Sequence, residues 1–186
     1  MNRKGFTLIE LLAVIVILGI ILVFVTPNIL EVYKNSKLKS EEIFVDRVSL
    51  PIDSYIKLKT DDIVFTKVEG TFTKTYIDST GNEKVDYPNI YIGKIQEKTE
   101  NGEYILKDIT INDIINTKLL FQENYINAGN KGKPCNNNAI IEVYKDSDYV
   151  YCYKVKKASL GCLTEDYKTT LNGDYAIDTC LWEEVR

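Results

Sequence analysis

The sequence of 186 residues contains no histidine. This absence excludes Ser-His-Asp and Cys-His nucleophile pairs, HExxH zinc sites and any histidine that acts as an acid or base. Walker-type P-loops and GxGxxG dinucleotide motifs are missing as well, so no sequence motif indicates that the protein binds nucleotide phosphates. The lack of a CxxC pair argues against a zinc site or a thioredoxin-like redox centre. We therefore expect a protein that is not an enzyme and that needs no cofactor or metal.

The chain also lacks an excess of positive charge. Its 23 Lys and Arg residues face 27 Asp and Glu residues, which gives a formal charge of −4. Proteins that bind nucleic acid regardless of its sequence neutralise phosphates with Lys and Arg, and this balance argues against such binding. We expect no direct nucleic-acid partner. The length suits one domain of ordinary size plus an anchor.

One long apolar run stands near the start of the chain. From Phe6 to Val25 the sequence reads FTLIELLAVIVILGIILVFV, and only Thr7, Glu10 and Gly19 interrupt its apolar character. As a helix this run spans roughly 30 Å, the thickness of a bilayer core. An ordinary signal peptide ends in a small-residue A-x-A-like site, and here the run ends VFVTPN. We therefore predict a retained membrane helix over residues 6–27.

The small residue at the polar-to-apolar junction is Gly5, which follows the basic stub MNRK. Cleavage after Gly5 would remove a leader of residues 1–5 and leave a free amine on Phe6. Glu10 lies four residues beyond that amine, and a charge inside a membrane helix costs roughly 2.5–3.5 kcal/mol on insertion scales. We expect the carboxylate to be paired, either by the amine and helix dipole of its own chain or by the Phe6 amine of a neighbouring chain. The second arrangement would set the register of subunits in a polymer.

The segment MNRKGFTLIELL resembles the class III leader and N-terminal methylation motif of type IV pilins and pseudopilins. The resemblance implies that a prepilin peptidase cuts after Gly5 and methylates Phe6, and that Glu10 serves assembly. It also implies a type IV pilin-like fold, a pilus assembly platform as a partner, and other pilins or copies of the same chain in a helical filament.

The segment from Thr26 to about Leu58 continues the helix with an amphipathic pattern. One stripe is apolar or small, while Lys and Glu cover the other faces. The stripe consists of Ile29, Val32, Tyr33, Ser36, Ser40, Ile43, Val48, Ile52 and Tyr55. We predict an amphipathic stem helix over residues 28–58 that packs against a globular head over residues 59–186.

Three residues are expected to weaken this long helix. Pro27 lacks the N–H that would bond the Val23 carbonyl, and Gly19 has a low helix propensity. These two residues either cause ordinary kinks of a membrane helix or mark the ends of a segment that loses helicity in a filament. The pilin resemblance supports the second alternative. Pro51 either ends the packed stem near residues 49–50 or only kinks it, and we expect a kink.

From Asp61 onward the pattern changes to short runs rich in β-formers. The runs IVFTKV, GTFTKTYI, NIYIGKIQEK and GEYILKDITI are separated by turn signals, which include the hairpin dipeptide Asn101-Gly102. Residues 111–125 have apolar side chains at helical spacing and predict a short helix. The predicted fold class is α+β: a long N-terminal helix, half in the membrane and half amphipathic, packed against an antiparallel β-sheet head.

Four cysteines fall in the last third of the chain, and an even number in an exported head suggests two disulfides. They are Cys135, Cys152, Cys162 and Cys180. The runs AIIEVYK and YVYCYKVK flank DSD and predict a hairpin in which Lys145 faces Tyr149, which places Cys135 opposite about position 159. This register favours Cys135–Cys162 with Cys152–Cys180, and next Cys135–Cys152 with Cys162–Cys180. Each bridge would stabilise the head by roughly 2–4 kcal/mol.

Two features of the head have alternative interpretations. The 13 tyrosines lie mostly in the predicted strands. Either their rings pack on the sheet while their hydroxyls contact water, or they form an adhesive aromatic surface. Asp174 and Asp178 either cap a turn or bind calcium, as secretion pseudopilins often do in this region. Their spacing does not match an EF-hand loop.

With the resemblance, these features predict a structural subunit that enters the cytoplasmic membrane by one helix. It would then be cleaved, N-methylated and polymerised into a type IV pilus on the cell surface, which supports adhesion, motility or aggregation. The residues assigned to assembly are Glu10, Gly19 and Pro27. The alternatives are a competence or type II secretion pseudopilin that acts in macromolecule transport, and a membrane-anchored binding module that never polymerises.

Overall fold

A single long helix opens the described part of the protein. The computed structural model describes residues 7–185, with the backbone alone described at positions 27 and 28. Helix α1 runs Leu8–Leu58. The chain divides into one unit that ends at Lys39 and a second that begins at Ser40. The backbone of α1 is helical through Pro51, so the alternative in which this proline ends the stem early is wrong. The kink expected there stays a prediction.

In the first unit, the apolar side chains of α1 between Leu8 and Val25 are exposed. By length and composition, α1 is the one helix among the described residues that could cross a membrane. A helix suits that environment because its backbone N–H and C=O groups bond to one another and leave none to hydrocarbon. The exposed apolar surface therefore fits insertion into a bilayer before any assembly.

Among the described residues, the second unit carries the strands and three short α-helices. The strands are β1 Ile63–Lys67, β2 Phe72–Ile77, β3 Glu83–Asp86, β4 Tyr91–Lys98, β5 Tyr104–Lys107, β6 Ile109–Thr110, β7 Ile126–Asn127, β8 Lys133–Pro134, β9 Ile140–Lys145, β10 Tyr151–Lys156, β11 Tyr175–Asp178 and β12 Glu183–Glu184. The helices are α2 Ile111–Asn116, α3 Lys157–Leu160 and α4 Glu165–Thr170.

All strand pairs of the head are antiparallel. The main sheet has the order β1-β4-β9-β10-β11, with β5 on β4 and β6 on β9, and a smaller sheet has the order β12-β2-β3. Strands β4 and β5 form the hairpin predicted from Asn101-Gly102, in which Gly102 takes the left-handed backbone conformation (φ +86°) that the turn needs. The α+β class, with a long helix followed by an antiparallel sheet head, is thus confirmed.

The part of α1 in the second unit buries one face in the head. The hydrophobic residues of this face that are at most 2% exposed are Phe44, Val48, Ile52 and Tyr55. On the sheet, the Tyr153 hydroxyl donates to the Ser49 carbonyl at 2.9 Å. This contact joins β10 directly to the helix backbone.

Ile43, which the sequence pattern placed on the buried stripe, is 54% exposed. The reason is angular, because each residue of an α-helix turns by about 100°. Ile43 is therefore turned by about 140° from Val48, whereas Phe44 is turned by about 40°. Phe44 takes the buried position, where its ring lies 6.1 Å from that of Tyr125.

The helix predicted over residues 111–125 is too long, since α2 ends at Asn116. Lys118 adopts a left-handed backbone conformation (φ +61°), and its N–H donates to the Ile115 carbonyl at 2.9 Å. A left-handed residue at this position terminates a helix. The N-terminus is defined by a capping box, in which Thr110 donates both its N–H and its hydroxyl to Asp113, at 2.7 Å each.

The buried tyrosines make the head sensitive to alkali. Burial raises the pKa of Tyr55, Tyr167 and Tyr175 to about 12, and it also raises the pKa of Tyr125 and Tyr153. Since the unfolded pKa is about 10, this stabilisation is complete below that pH and is lost as the pH rises towards about 12. We expect the near-UV circular dichroism of the head to disappear in this window as tyrosinate absorbance rises. Complete tyrosine ionisation near pH 10 without loss of the dichroism would contradict this prediction.

Candidate functional site

The N-terminal end of α1 holds Glu10 through a reciprocal set of hydrogen bonds with Thr7. The Thr7 N–H and hydroxyl both donate to Glu10 Oε2, at 2.9 Å each, and the Glu10 N–H donates to the Thr7 hydroxyl at 3.4 Å. Thr7 also accepts the first helical bond, from the Leu11 N–H to its carbonyl at 3.2 Å. Thr7 is thus the N-cap of the helix, and Glu10 completes a capping box.

This geometry adds a partner for Glu10 that the sequence analysis missed. The signal was present, because Thr7-Leu8-Ile9-Glu10 fits the T-x-x-E pattern of a capping box. Among the described residues, the donors to the Glu10 carboxylate are the N–H and the hydroxyl of Thr7, and both donors bond to Oε2. A carboxylate has a second oxygen, Oε1, which can accept a hydrogen bond from a donor outside this pair.

The other residues assigned to processing and assembly lie partly outside the described region. Gly5 and Phe6 precede it, so their roles in cleavage and methylation stay predictions. Gly19 and Pro27 lie within the helical backbone of α1, and a Cβ at Gly19 would meet no described atom within 4 Å apart from its chain neighbours and the adjacent helix backbone. Loss of helicity between them on assembly also stays a prediction. Just before Pro27, the Thr26 hydroxyl donates to the Leu22 carbonyl at 2.5 Å, which satisfies a polar group in an apolar stretch.

The head contains two disulfides that interlock its last third. Cys135 is bonded to Cys162 and Cys152 to Cys180, with Cα atoms 4.8 and 5.0 Å apart. These bridges lie at different places in the head. Cys162 is fully buried near α1, whereas Cys152 belongs to a second cluster of buried residues around Trp182.

The hairpin register used to argue this pairing differs in the structure. Lys145 lies opposite Tyr151 rather than Tyr149, because the loop between β9 and β10 has five residues. Asp146 holds this wider loop, since its Oδ1 accepts from the N–H groups of Asp148 and Val150, at 2.9 Å each. The observed register extrapolates Cys135 to a point opposite position 161, immediately beside Cys162.

A buried carboxylate joins α1 to the segment around Cys162. Glu41 is fully buried, and its carboxylate accepts from the Thr164 N–H at 2.9 Å, from the Thr164 hydroxyl, and from Asn127 Nδ2 at 3.2 Å. The same Asn127 amide donates to the Cys162 carbonyl at 3.0 Å. The amphipathic pattern predicts Glu and Lys on the solvent face, yet Glu41 lies seven residues before Val48 and so shares its buried face.

Asp174 and Asp178 have local partners in the head. Asp178 pairs with Lys154 Nζ at 3.0 Å and accepts from the Cys180 N–H at 3.0 Å, while the Asp174 carbonyl accepts from the Lys157 N–H at 3.0 Å. Over residues 7–185, no group of three or more His, Cys, Asp or Glu side chains is placed to hold a metal ion.

The comparisons with known proteins point to the same N-terminal segment. A family model described as the prokaryotic N-terminal methylation motif matches residues 1–26. The chain carries the methylation motif of type IV pilin and pseudopilin precursors. This match covers the Gly5–Phe6 junction, the capping box of Thr7 and Glu10, and most of the membrane-length part of α1. No curated protein and no solved structure matches the chain.

Proposed function

We propose that the chain is a structural, non-catalytic subunit of a type IV pilus. A prepilin peptidase cleaves it after Gly5 and methylates Phe6, and the mature subunit leaves the membrane to polymerise into a filament on the cell surface. The methylation motif over residues 1–26 carries this proposal, because it covers both the Gly5–Phe6 junction and most of the membrane-length part of α1. The filament then serves adhesion, motility or aggregation.

The capping box suggests how a subunit is held ready for assembly. Thr7 holds Glu10 through Oε2, and the Phe6 amine of a neighbouring subunit then donates to Oε1. Such a bond between two charged groups is roughly twice as strong as a neutral one. Its strength rises further where water is excluded. The carboxylate thereby both caps its own helix and recognises the cut end of the next subunit.

A secretion or competence pseudopilin would share the motif and the same processing. The two disulfides fit either role, because both kinds of head lie outside the cytoplasm, where disulfides form and persist. Abundant protein in fibres sheared from the cell surface would support the pilus, and its retention in the cell envelope would favour the pseudopilin. A crosslink between position 10 of one chain and position 6 of another would separate both from a monomeric anchored module.

Processing is tested by the intact mass of the protein from a host that has a prepilin peptidase. We expect loss of Met1 to Gly5, one added methyl group on Phe6, and four fewer hydrogens for the two disulfides. A Gly5→Val variant is the matched control and should keep its leader and lack the methyl group, because it alters the residue at the cut. An uncleaved parent protein in that host would overturn the proposal.

A further inference from the structure

A cleft lies between the two sheets of the head, on the face of the main sheet turned away from α1. Along β9 and β10 successive side chains point to opposite faces. Tyr153 points to α1 and bonds Ser49, so Tyr144 and Lys154 belong to the other face. The cleft has a volume of about 380 Å³, which lies in the range of roughly 300–1,000 Å³ found for small-ligand sites.

Aromatic rings form much of the cleft wall. They are Phe72, Tyr144, Tyr175 and Trp182. The rings of Phe72 and Tyr144 meet that of Trp182 edge-on, with centroids 5.1 and 5.2 Å apart, which fixes the indole in place. Its Nε1 is buried and has no hydrogen-bond partner among the described residues. An unmade bond of this kind costs about 1–3 kcal/mol, and because the nitrogen is buried a ligand would contact the aromatic walls and not this atom.

The charges of the cleft decide what kind of ligand it suits. Lys154 Nζ lies 4.5 Å from the ring centroid of Trp182 and 5.0 Å from that of Tyr175, and it pairs with Asp178. The position that would attract a ligand cation is therefore filled by the protein's own lysine. Glu183 and Glu184 also line the cleft and would repel an anion. A neutral ligand with many hydroxyl groups suits these walls best.

The tyrosine hydroxyls already have an acceptor. Tyr144 and Tyr175 both donate to Glu142 Oε2, at 3.1 Å each. Each hydroxyl oxygen can still accept a hydrogen bond from a ligand. The cleft therefore offers acceptors at its tyrosines and carboxylates, together with ring faces that are electron-rich and attract weakly positive C–H groups.

We propose that this cleft binds a neutral saccharide. The sugar hydroxyls donate to the carboxylates of Glu183 and Glu184 and to the tyrosine oxygens, while the C–H face of the ring packs against Tyr144 and Tyr175. This activity is independent of polymerisation, so its test stands apart from that of the filament. A short peptide in the same cleft is the alternative that the experiment must exclude.

The chain provides its own reporter, because Trp182 is its only tryptophan and lines the cleft. The full chain in detergent micelles is titrated with cellobiose, lactose and chitobiose, and separately with a neutral tripeptide, while tryptophan emission is recorded. We expect a saturable change with at least one disaccharide in the millimolar range and none with the tripeptide. No response to any sugar, or a response to the tripeptide alone, would overturn the proposal.

Two variants and a control locate the response. Tyr175→Ala removes one wall of the cleft, and we expect it to weaken saccharide binding by at least about tenfold. Glu183→Gln removes one charged acceptor, and we expect it to weaken binding by a smaller factor. Glu183 is exposed, so its variant should fold even if Tyr175→Ala does not. Tyr87→Ala, at a side chain that is 70% exposed and outside the cleft, should bind as the parent does. Unchanged affinity in both cleft variants would show that the emission change arises elsewhere and would overturn the proposal.

Discussion

Filament yield should fall by at least about tenfold when Glu10 is replaced by alanine, while membrane insertion and folding of the head are unchanged. The substitution removes the carboxylate proposed to receive the Phe6 amine of the next subunit. An unpaired charge at the centre of a membrane helix costs roughly 2.5–3.5 kcal/mol, and this value is an upper bound for the pairing energy at Glu10, which lies in the first turn. The measurement is the amount of protein in sheared surface fibres, relative to the amount of mature protein in the membrane.

Two further variants separate the roles of the Glu10 carboxylate. Glu10→Gln removes the charge but keeps a side chain that can complete a capping box. Thr7→Ala keeps the charge and removes the hydroxyl that donates to Oε2, at a cost of about 1 kcal/mol to the helix start. If charge pairing between subunits drives assembly, the glutamine variant fails like the alanine variant and Thr7→Ala is only mildly impaired. If the helix cap drives assembly, Thr7→Ala fails like the alanine variant and the glutamine variant is only mildly impaired.

The matched control is Glu31→Gln, an exposed acidic residue on the same helix beyond the apolar run. It should leave filament yield unchanged, because its carboxylate lies outside the apolar segment. Normal filaments from both Glu10 variants would refute the pairing role. Loss of mature protein from the membrane in those variants would instead locate the defect before assembly.

The head should lose about 3–5 kcal/mol of stability when Glu41 is replaced by alanine, because each of three donors left unpaired costs about 1–3 kcal/mol. The substitution leaves the N–H and hydroxyl of Thr164 and the amide of Asn127 without their acceptor in a buried place. For a head of this size the melting temperature should fall on the order of 10 °C. Thermal unfolding of the full chain in detergent, followed by near-UV circular dichroism, measures the shift.

Asp53→Ala is the control for this experiment, because it lies on the same helix and breaks the exposed ion pair with Lys57. Surface pairs of this kind contribute at most about 1 kcal/mol. Glu41→Gln should lie between the two, since its amide oxygen can still accept one bond. Equal shifts from Glu41→Ala and Asp53→Ala would show that the buried network contributes no more than a surface pair.

The architecture could be predicted because its signals are local. Twenty apolar residues in a row specify a membrane-length helix, and alternating β-formers around Asn101-Gly102 specify a hairpin. Cleavage and pairing roles came from the resemblance of the first residues to pilins, and the family model matches that same segment. These features depend on neighbours in the sequence and not on contacts between distant parts of the chain.

The features that escaped prediction depend on tertiary contacts or on single backbone conformations. Glu41 has its partners at positions 127 and 164, which no pattern in the helix reveals. Lys118 ends α2 by entering a left-handed conformation that lysine rarely adopts. The β9–β10 register differs from the predicted one because Asp146 accepts hydrogen bonds from N–H groups within its own loop. In each case a few hydrogen bonds outweighed an average propensity.

The order of the four cysteines has a mechanical consequence. Because Cys152 lies between Cys135 and Cys162, and Cys162 between Cys152 and Cys180, the two bridges overlap along the chain. Any single cut of the backbone between positions 135 and 180 is spanned by at least one bridge. A protease that nicks this region once therefore cannot release a fragment, and tension applied across it is carried through sulfur as well as through the backbone.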